Sequence, residues 1–302
     1  MLELDEIDKA LWKELYSNCR VSYQYLANKI DVSATAIRKR IERLIEQGVI
    51  VEWSISLMPA MIDSEYSFVE VDTKEDHDSE YLFKQFFDKP EIFVILPLTD
   101  GNYALHAVYS GSEGLFELSS FLRQLDGVEE ARIHPTISDS GTKIELGSLQ
   151  KRVLRSLVKD PRMSIAQIAS ESGLTARRVR KIVDQLMESN AFIFDFTWNP
   201  NAGESMAFLA KIEYDARKTS FEEIEKRIRK SYNLEFFYSH ISAVEPVMFC
   251  VFMVEHLFDM EKIVKELRKI PGVNSLSPLI YYTATVVDPP TVTHLEELLF
   301  ES

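Results

Sequence analysis

Two stretches of the chain, "NCRVSYQYLANKIDVSATAIRKRIERLIEQGVI" and "DPRMSIAQIASESGLTARRVRKIVDQLMESNAFI", superimpose without a gap at an offset of 142 residues. Arg20 falls on Arg162, Ser22 on Ser164, Ala27 on Ala169, Ile37 on Val179, Ile41 on Val183 and Leu44 on Leu186. Looser matches follow each stretch: "YSFVEVDT" resembles "MAFLAKIEYD", and "FLRQLDGVEEARIHPTI" resembles "IVKELRKIPGVNSLSPLI". The chain is therefore a unit of about 145 residues written twice, and its fold has to be built from a pair of related halves.

Each half begins helical. "DEIDKALWKEL" places Ile7, Leu11 and Leu15 at helical spacing. Ser22 heads a short second helix carrying Tyr25, Leu26 and Ile30. After Asp31 to Ser33 a third helix begins, with Ser33 as its cap. Ile37, Ile41, Leu44 and Ile45 give that helix a buried stripe, and Gly48 ends it. "VIVEWSISL" then has strand composition, extending into a β-hairpin or a link. Three helices with a short turn before the last and a strand behind it predict a winged helix-turn-helix.

Each half continues as a mixed segment. In the first copy the order is strand "YSFVEVDT", helix "HDSEYLFKQFFD", strands "EIFVILPLT" and "YALHAVYS" about a "DGN" turn, helix "GLFELSSFLRQL" and strand "VEEARIHPTI". That is β-α-β-β-α-β, the ferredoxin-like arrangement. The fold class is α+β. Expected domains are winged helix-turn-helix at 1–54, ferredoxin-like at 62–142, a second winged helix at 145–196, a second ferredoxin-like domain at 205–287, and a tail with a short helix at 288–302.

Charge is distributed by segment. The net charge is −14, yet Lys and Arg number 8 against 9 acids in residues 1–54, and 9 against 6 in 145–195. Residues 55–144 hold 6 against 17, and 196–302 hold 11 against 16. The helical segments are thus the least acidic parts of the chain, which makes local charge the better guide to partners. In a helix-turn-helix the second helix of the pair enters the DNA major groove and needs donors for base edges and cations for phosphates. Phosphate contacts are expected from Arg38, Arg40, Arg43, Arg178 and Arg180, and base reading from Thr35, Lys39, Arg177 and Lys181. Ser33 and Thr175 add donors at the two helix N-termini. Within "RKRIER" the i, i+4 spacing offers one favourable ion pair, Arg38 with Glu42. Because Thr35 becomes Arg177, the two heads are expected to read different bases.

The opening "LDEID", the "RVS" before "LA", "VSATAIRKRI", "RL" and "QGVI" resemble the Lrp/AsnC family of transcriptional regulators. The likeness extends over both halves. It is looser in the second, where Asn190 replaces the glycine and no "LDEID" precedes "LGSLQKRVLRSL". The resemblance implies a DNA-binding regulator that recognises double-stranded DNA, modulated by a small molecule such as an amino acid. Family members usually carry one unit per chain, so the tandem copy implies an intramolecular pseudo-dimer or a homo-oligomer of such chains. It also implies effector contacts at the turn of the mixed domain, here Asp100, Gly101, Asn102 and Tyr103. The residues alone equally describe a plain hairpin turn. In the second copy Glu245 and Pro246 occupy that turn, and Pro removes a backbone donor.

Other chemistry finds little purchase. Cys19 and Cys250 stand far apart, which leaves neither a disulfide framework nor a CxxC metal site. The six histidines show no metal-ligand spacing, and no nucleophile elbow, P-loop or dinucleotide fingerprint occurs. His106 and His240 lie in apolar strand patterns, as core histidines do. No catalytic residue, metal or cofactor is expected, and the chain is expected not to be an enzyme. Two alternatives remain open: a siroheme-decarboxylase-like enzyme, since some proteins resembling this family pair two such units, and a non-DNA-binding interaction protein. Against the first, the strands "PEIFVILPLT" and "LEFFYSHIS" hold one histidine, His240, and no arginine. No stretch is long and apolar enough for a membrane span, and the N-terminus has no signal-peptide layout, so a cytoplasmic location is expected.

Overall fold

The computed structural model describes residues 4–199, 202 and 206–300. The expected domain limit at 205 and the last two residues of the tail lie outside the described residues. The first copy runs α1 (Glu6–Ser17), α2 (Tyr23–Ile30), α3 (Ala34–Glu46) and β1 (Ile50–Leu57), then a 3-10 turn at Pro59–Ile62. It continues with β2 (Glu65–Thr73), α4 (Ser79–Phe87), β3 (Ile92–Pro97), β4 (Tyr103–Tyr109), α5 (Gly111–Gln124) and β5 (Val128–Pro135). The second copy repeats the order as α6 (Ser148–Lys159), α7 (Ile165–Ser172), α8 (Ala176–Glu188), β6 (Phe192–Trp198) and β7 (Met206–Tyr214), then α9 (Phe221–Ser231), β8 (Phe236–Ile241) and β9 (Val247–Val254). It ends with α10 (Leu257–Leu267), β10 (Val273–Ile280), the short β11 (Thr285–Val286) and α11 (Pro290–Phe300). Contacts gather like with like: residues 5–64, 140–199 and 288–300 form one compact unit, and 65–139 with 206–287 another.

In the helical unit the caps lie where the sequence places them. Ser33 accepts the Ala36 N–H at 3.1 Å, and Thr175 accepts the Arg178 N–H at 3.3 Å, satisfying donors that the first helical turn leaves unpaired. Gly48 adopts φ 71° just past α3, a backbone state that costs glycine little. Ile37, Ile41 and Leu44 are buried under α3, but Ile45, expected in the same stripe, is exposed; Val179, Ile182, Val183 and Leu186 are buried under α8. The strand behind α3, expected to extend into a hairpin or a link, forms no hairpin. β1 pairs antiparallel with β6, with Ser54 opposite Asp195 and Ile55 opposite Phe194. Ile55 and Leu57 of β1 enter the core of the second head, while Phe196 and Trp198 of β6 lie edge-on to Trp12 of the first at 5.6 and 5.3 Å. Arg20 donates to the Pro161 and Met163 carbonyls, and its repeat partner Arg162 donates to the Cys19 carbonyl. The heads are thus interlocked by exchanged strands and reciprocal arginines. The expected tail is part of this unit: Leu295 and Leu299 of α11 are buried in the second head's core.

In the mixed unit the first sheet has strand order β11-β3-β4-β2-β5 and the second β10-β7-β9-β8. Apart from β11, both are the ferredoxin-like order. Period-2 alternation sends Val69, Val71, Leu105 and Ala107 against α4 and α5, and Phe208, Ala210, Met248 and Phe252 against α9 and α10. The opposite faces meet each other. Phe68 of β2 stacks on Phe249 of β9 with ring centroids 4.1 Å apart, both fully buried, which stabilises the pairing by about 2–3 kcal/mol for each ring. Chain running past each sheet's edge joins the other sheet: Ile137 N–H bonds the Ile241 carbonyl at 2.7 Å, and Thr99 N–H bonds the Ile280 carbonyl at 2.8 Å.

Candidate nucleic-acid interface and inter-sheet pocket

The third helices of the two heads, α3 and α8, present their cations differently. On α3, Arg40 reaches Asp5 at 2.7 Å and Asp8 at 2.8 Å, Arg43 also pairs with Asp8, and Arg38 bonds Glu42 at 2.8 Å. Asp8 is fully buried and, with Asp5, forms the capping box of α1. Burial works against the charge on Arg40, but the hydrogen bonds to Asp5 and Asp8 raise its pKa above the ordinary value. Among the described residues Lys39 takes no part in an ion pair, and both Lys39 and Thr35 are exposed. On α8, Arg177, Arg178, Arg180 and Lys181 are all exposed, and among the described residues none of them pairs with an acid. Further cations on α6 are committed elsewhere: Arg152 donates to the Ser172 carbonyl, Arg155 to the Leu299 carbonyl at 2.8 Å, and Lys159 pairs with Glu171 at 3.0 Å.

The expected effector turn borders a cavity of about 200 Å³ in the mixed unit. Asp100, Asn102 and Tyr103 line it with Leu98 and Ala104; so do Glu70, Asp72, Arg132 and Lys211, which sequence reading did not single out. Gly101, at φ 91°, shapes the turn without lining the cavity. Asn102 spends its side-chain oxygen on the Thr73 N–H at 2.9 Å, and Asp100 accepts the Asn102 N–H at 3.0 Å. Tyr103 sends its ring toward the helices, donating to the Ser79 carbonyl at 3.4 Å.

Glu70 is the hub. Lys211 approaches its two oxygens at 2.6 and 2.8 Å, and His134 Nε2 lies 3.2 Å away. Burial alone would raise the Glu70 pKa; the bonds from His134 and Lys211, with the charges of Lys211 and Arg132, bring it below the ordinary value. Arg132 in turn holds Asp72 at 2.8 Å. The signal for these residues was present but unread: opposite charges in apolar strands at nearly the repeat offset. The two copies differ beside this pair: Ala104 sits opposite Glu70 in its ladder, whereas bulky Phe249 sits opposite Lys211. Buried His134 bonds Ser242 at 3.2 Å.

His106 and His240 also meet between the sheets, ring centroids 4.3 Å apart, and neither Nε2 makes a hydrogen bond. Burial lowers both pKa values, that of His240 to about 4, so both rings are neutral at pH 7. Among the described residues no group of three His, Cys, Asp or Glu could hold a metal ion, and no helix is long and apolar enough to cross a membrane.

Comparison with known proteins places this geometry. A winged helix-turn-helix DNA-binding family model matches residues 4–51 and again 147–190. The regulator LrpA of Pyrococcus horikoshii is 31% identical over 130 residues, covering 41% of this chain and 90% of that protein. The chain belongs to the Lrp/AsnC family. LrpA of Bacillus subtilis is 29% identical over 127 residues, again covering 41% of the chain and 90% of the relative. An uncharacterised HTH-type regulator of P. horikoshii is 34% identical over 74 residues, a match spanning just under half of it, 47%. Within the Lrp/AsnC family this chain is a tandem form, and a structure of that extent exists. The siroheme decarboxylase NirDL superposes with a TM-score of 0.58 at 13% identity, covering 98% of this chain and 97% of that one. The expectation that the chain is not an enzyme is corrected on this finding, since its full-length fold is one that an enzyme uses. The strands "PEIFVILPLT" and "LEFFYSHIS" hold one histidine, His240, and His106 of β4 meets it from the other sheet.

Proposed function

We propose that the chain is a sequence-specific, DNA-binding transcriptional regulator of the Lrp/AsnC type, working as an intramolecular pseudo-dimer. The observation that carries this reading is the exposed set Arg177, Arg178, Arg180 and Lys181, paired with no acid among the described residues, on a helix preceded by a helix and a short turn. Lys39 and Thr35 on α3, with the caps Ser33 and Thr175, complete the surface toward the duplex. The interlocked heads support the pseudo-dimer, because one chain supplies both reading helices. In the mixed unit the small cavity at Asp100, Asn102 and Tyr103 suits an amino-acid-sized zwitterion, with Arg132 and Lys211 toward a carboxylate and Asp100 toward an ammonium. Selection of bound duplexes from a random pool, repeated with and without amino acids, tests both parts. Enriched sequences whose retention falls steeply with salt are expected. Retention independent of salt would instead favour a protein-docking role for the heads.

A second reading has its own observation. Two neutral imidazoles with unpartnered Nε2 atoms face each other between the sheets of a fold shared with a siroheme decarboxylase. Titration with siroheme followed by absorbance tests it: a shifted Soret band lost in His240→Phe supports it, and an unchanged spectrum removes it.

A further inference from the structure

The two heads carry out different substitutions at the same positions, and the differences come as a set. At the offset of 142, Gly147 and Gln150 stand where the first copy has Asp5 and Asp8, and Ile182 and Gln185 stand where it has Arg40 and Arg43. Acids and arginines are thus lost together, as expected of partners in one internal network. Buried Ile182 fills what in the first copy is the Arg40 position. At the outward positions the exchange runs the other way: Thr35 and Ala36 become Arg177 and Arg178, while Arg38 and Lys39 are kept as Arg180 and Lys181. Arg38 is held by Glu42; Arg180 has Asp184 at the same spacing but makes no pair with it.

We propose that the second head, through α8, is the phosphate anchor of the chain, and that Arg40 and Arg43 of the first head clamp α1 to α3 and contact no DNA. The proposal rests on the DNA-binding reading above and adds a polarity to it. Its physical basis is competition. Arg40 and Arg43 each give a guanidinium nitrogen to the fully buried Asp8 carboxylate, and swinging out to a phosphate would leave that carboxylate without its partners, which costs more than an exposed phosphate contact returns. Among the described residues the α8 cations have no such internal competitor, so each phosphate they meet releases a counterion at full effect.

The test uses the whole chain and a random duplex, with affinity read by fluorescence anisotropy between 50 and 200 mM salt. The quadruple variant Arg177→Gln, Arg178→Gln, Arg180→Gln, Lys181→Gln should lose affinity by roughly a hundredfold or more and flatten the log–log salt slope by about 0.9 per contact removed. The triple variant Asp8→Gln, Arg40→Ile, Arg43→Gln installs the second copy's own residues. It should change affinity less than about threefold and leave the slope as it is. A slope loss of about 2 in the triple variant, or none in the quadruple one, overturns the polarity. Should the triple variant fail to fold by circular dichroism, the exposed pair Arg38→Gln, Lys39→Gln serves instead. Its loss should stay well below that of Arg180→Gln, Lys181→Gln, and equal losses overturn the proposal. If the wild-type chain shows no salt-dependent binding, the regulator reading itself fails, a result distinct from symmetric binding.

Discussion

The two copies have moved apart in opposite directions. In the first, the turn at Asp100–Tyr103 opens onto a cavity, and the helix cations Arg38, Arg40 and Arg43 are consumed by Glu42, Asp5 and Asp8. In the second, bulky Phe249 stands opposite Lys211 where Ala104 stands opposite Glu70, and among the described residues the four cations of α8 pair with no acid. A homodimer of one-unit chains cannot make this division, because each copy has the same sequence and residues on its axis meet themselves. Fusion removes that constraint. Glu70 and Lys211, separated by 141 residues, form an ion pair where two identical chains would set like charges together. Ser54 bonding Asp195, also 141 apart, is the same event in the strands joining the heads. Duplication in one chain thus permits unlike partners at a pseudo-twofold position, and the two halves are free to specialise.

The largest effect expected on this asymmetry comes from Lys211→Ala. It leaves a largely buried Glu70 short of its nearest cation and should cost about 3 kcal/mol in urea unfolding. The swap Glu70→Lys with Lys211→Glu should recover most of that loss; no recovery would mean that the pair is incidental to the match between the sheets. Next, Asp8→Ala should destabilise by about 2 kcal/mol, since it removes one half of the α1 capping box, takes the acid from Arg43 and leaves Arg40 with Asp5 alone. Its repeat counterpart Gln150→Ala should stay within about 0.5 kcal/mol, and equal costs would break the contrast between heads.

Two smaller effects depend on pH and have opposite signs. His106 and His240 have lowered pKa values in the fold, so the unfolded chain binds more protons below the ordinary value of 6.5. Stability should fall as pH drops from 6.5 toward about 4, and His240→Phe should flatten that fall. Asp195 behaves inversely. Burial pushes its carboxyl up to about 6 against the Ser54 bond that lowers it, so the folded state holds a proton that the unfolded state has released. Stability should therefore decline as pH rises from about 4 through 6, and Asp195→Asn should remove a term of order 1 kcal/mol, read as melting temperature across that window.

Much of this architecture was legible in the residues. The repeat, the capping residues Ser33 and Thr175, the buried stripe of α3 except for exposed Ile45, and the β-α-β-β-α-β order are local patterns, and local patterns survive into the fold. The partner of β1 was not legible. A strand with one apolar face looks the same whether its neighbour is four residues away in a hairpin or more than a hundred away in β6. The fate of Arg40 and Arg43 was hidden for a similar reason, as their partners lie on α1, over thirty residues upstream. A signal did exist in the second copy, where "LDEID" and both arginines are missing together. The Ala104 cavity needed the register of two sheets to be seen, because Ala104 and Phe249 read equally well as strand residues.

The polarity of the heads is tested most directly by an ethylation-interference footprint of the wild-type chain on a selected duplex. The expected pattern is one strong cluster of phosphates, confined to one half of the site, with weak interference in the other. The strong cluster should vanish when the α8 cations are replaced by glutamine. Two clusters of equal strength, or a strong cluster that survives that replacement, would contradict the division of work between the copies.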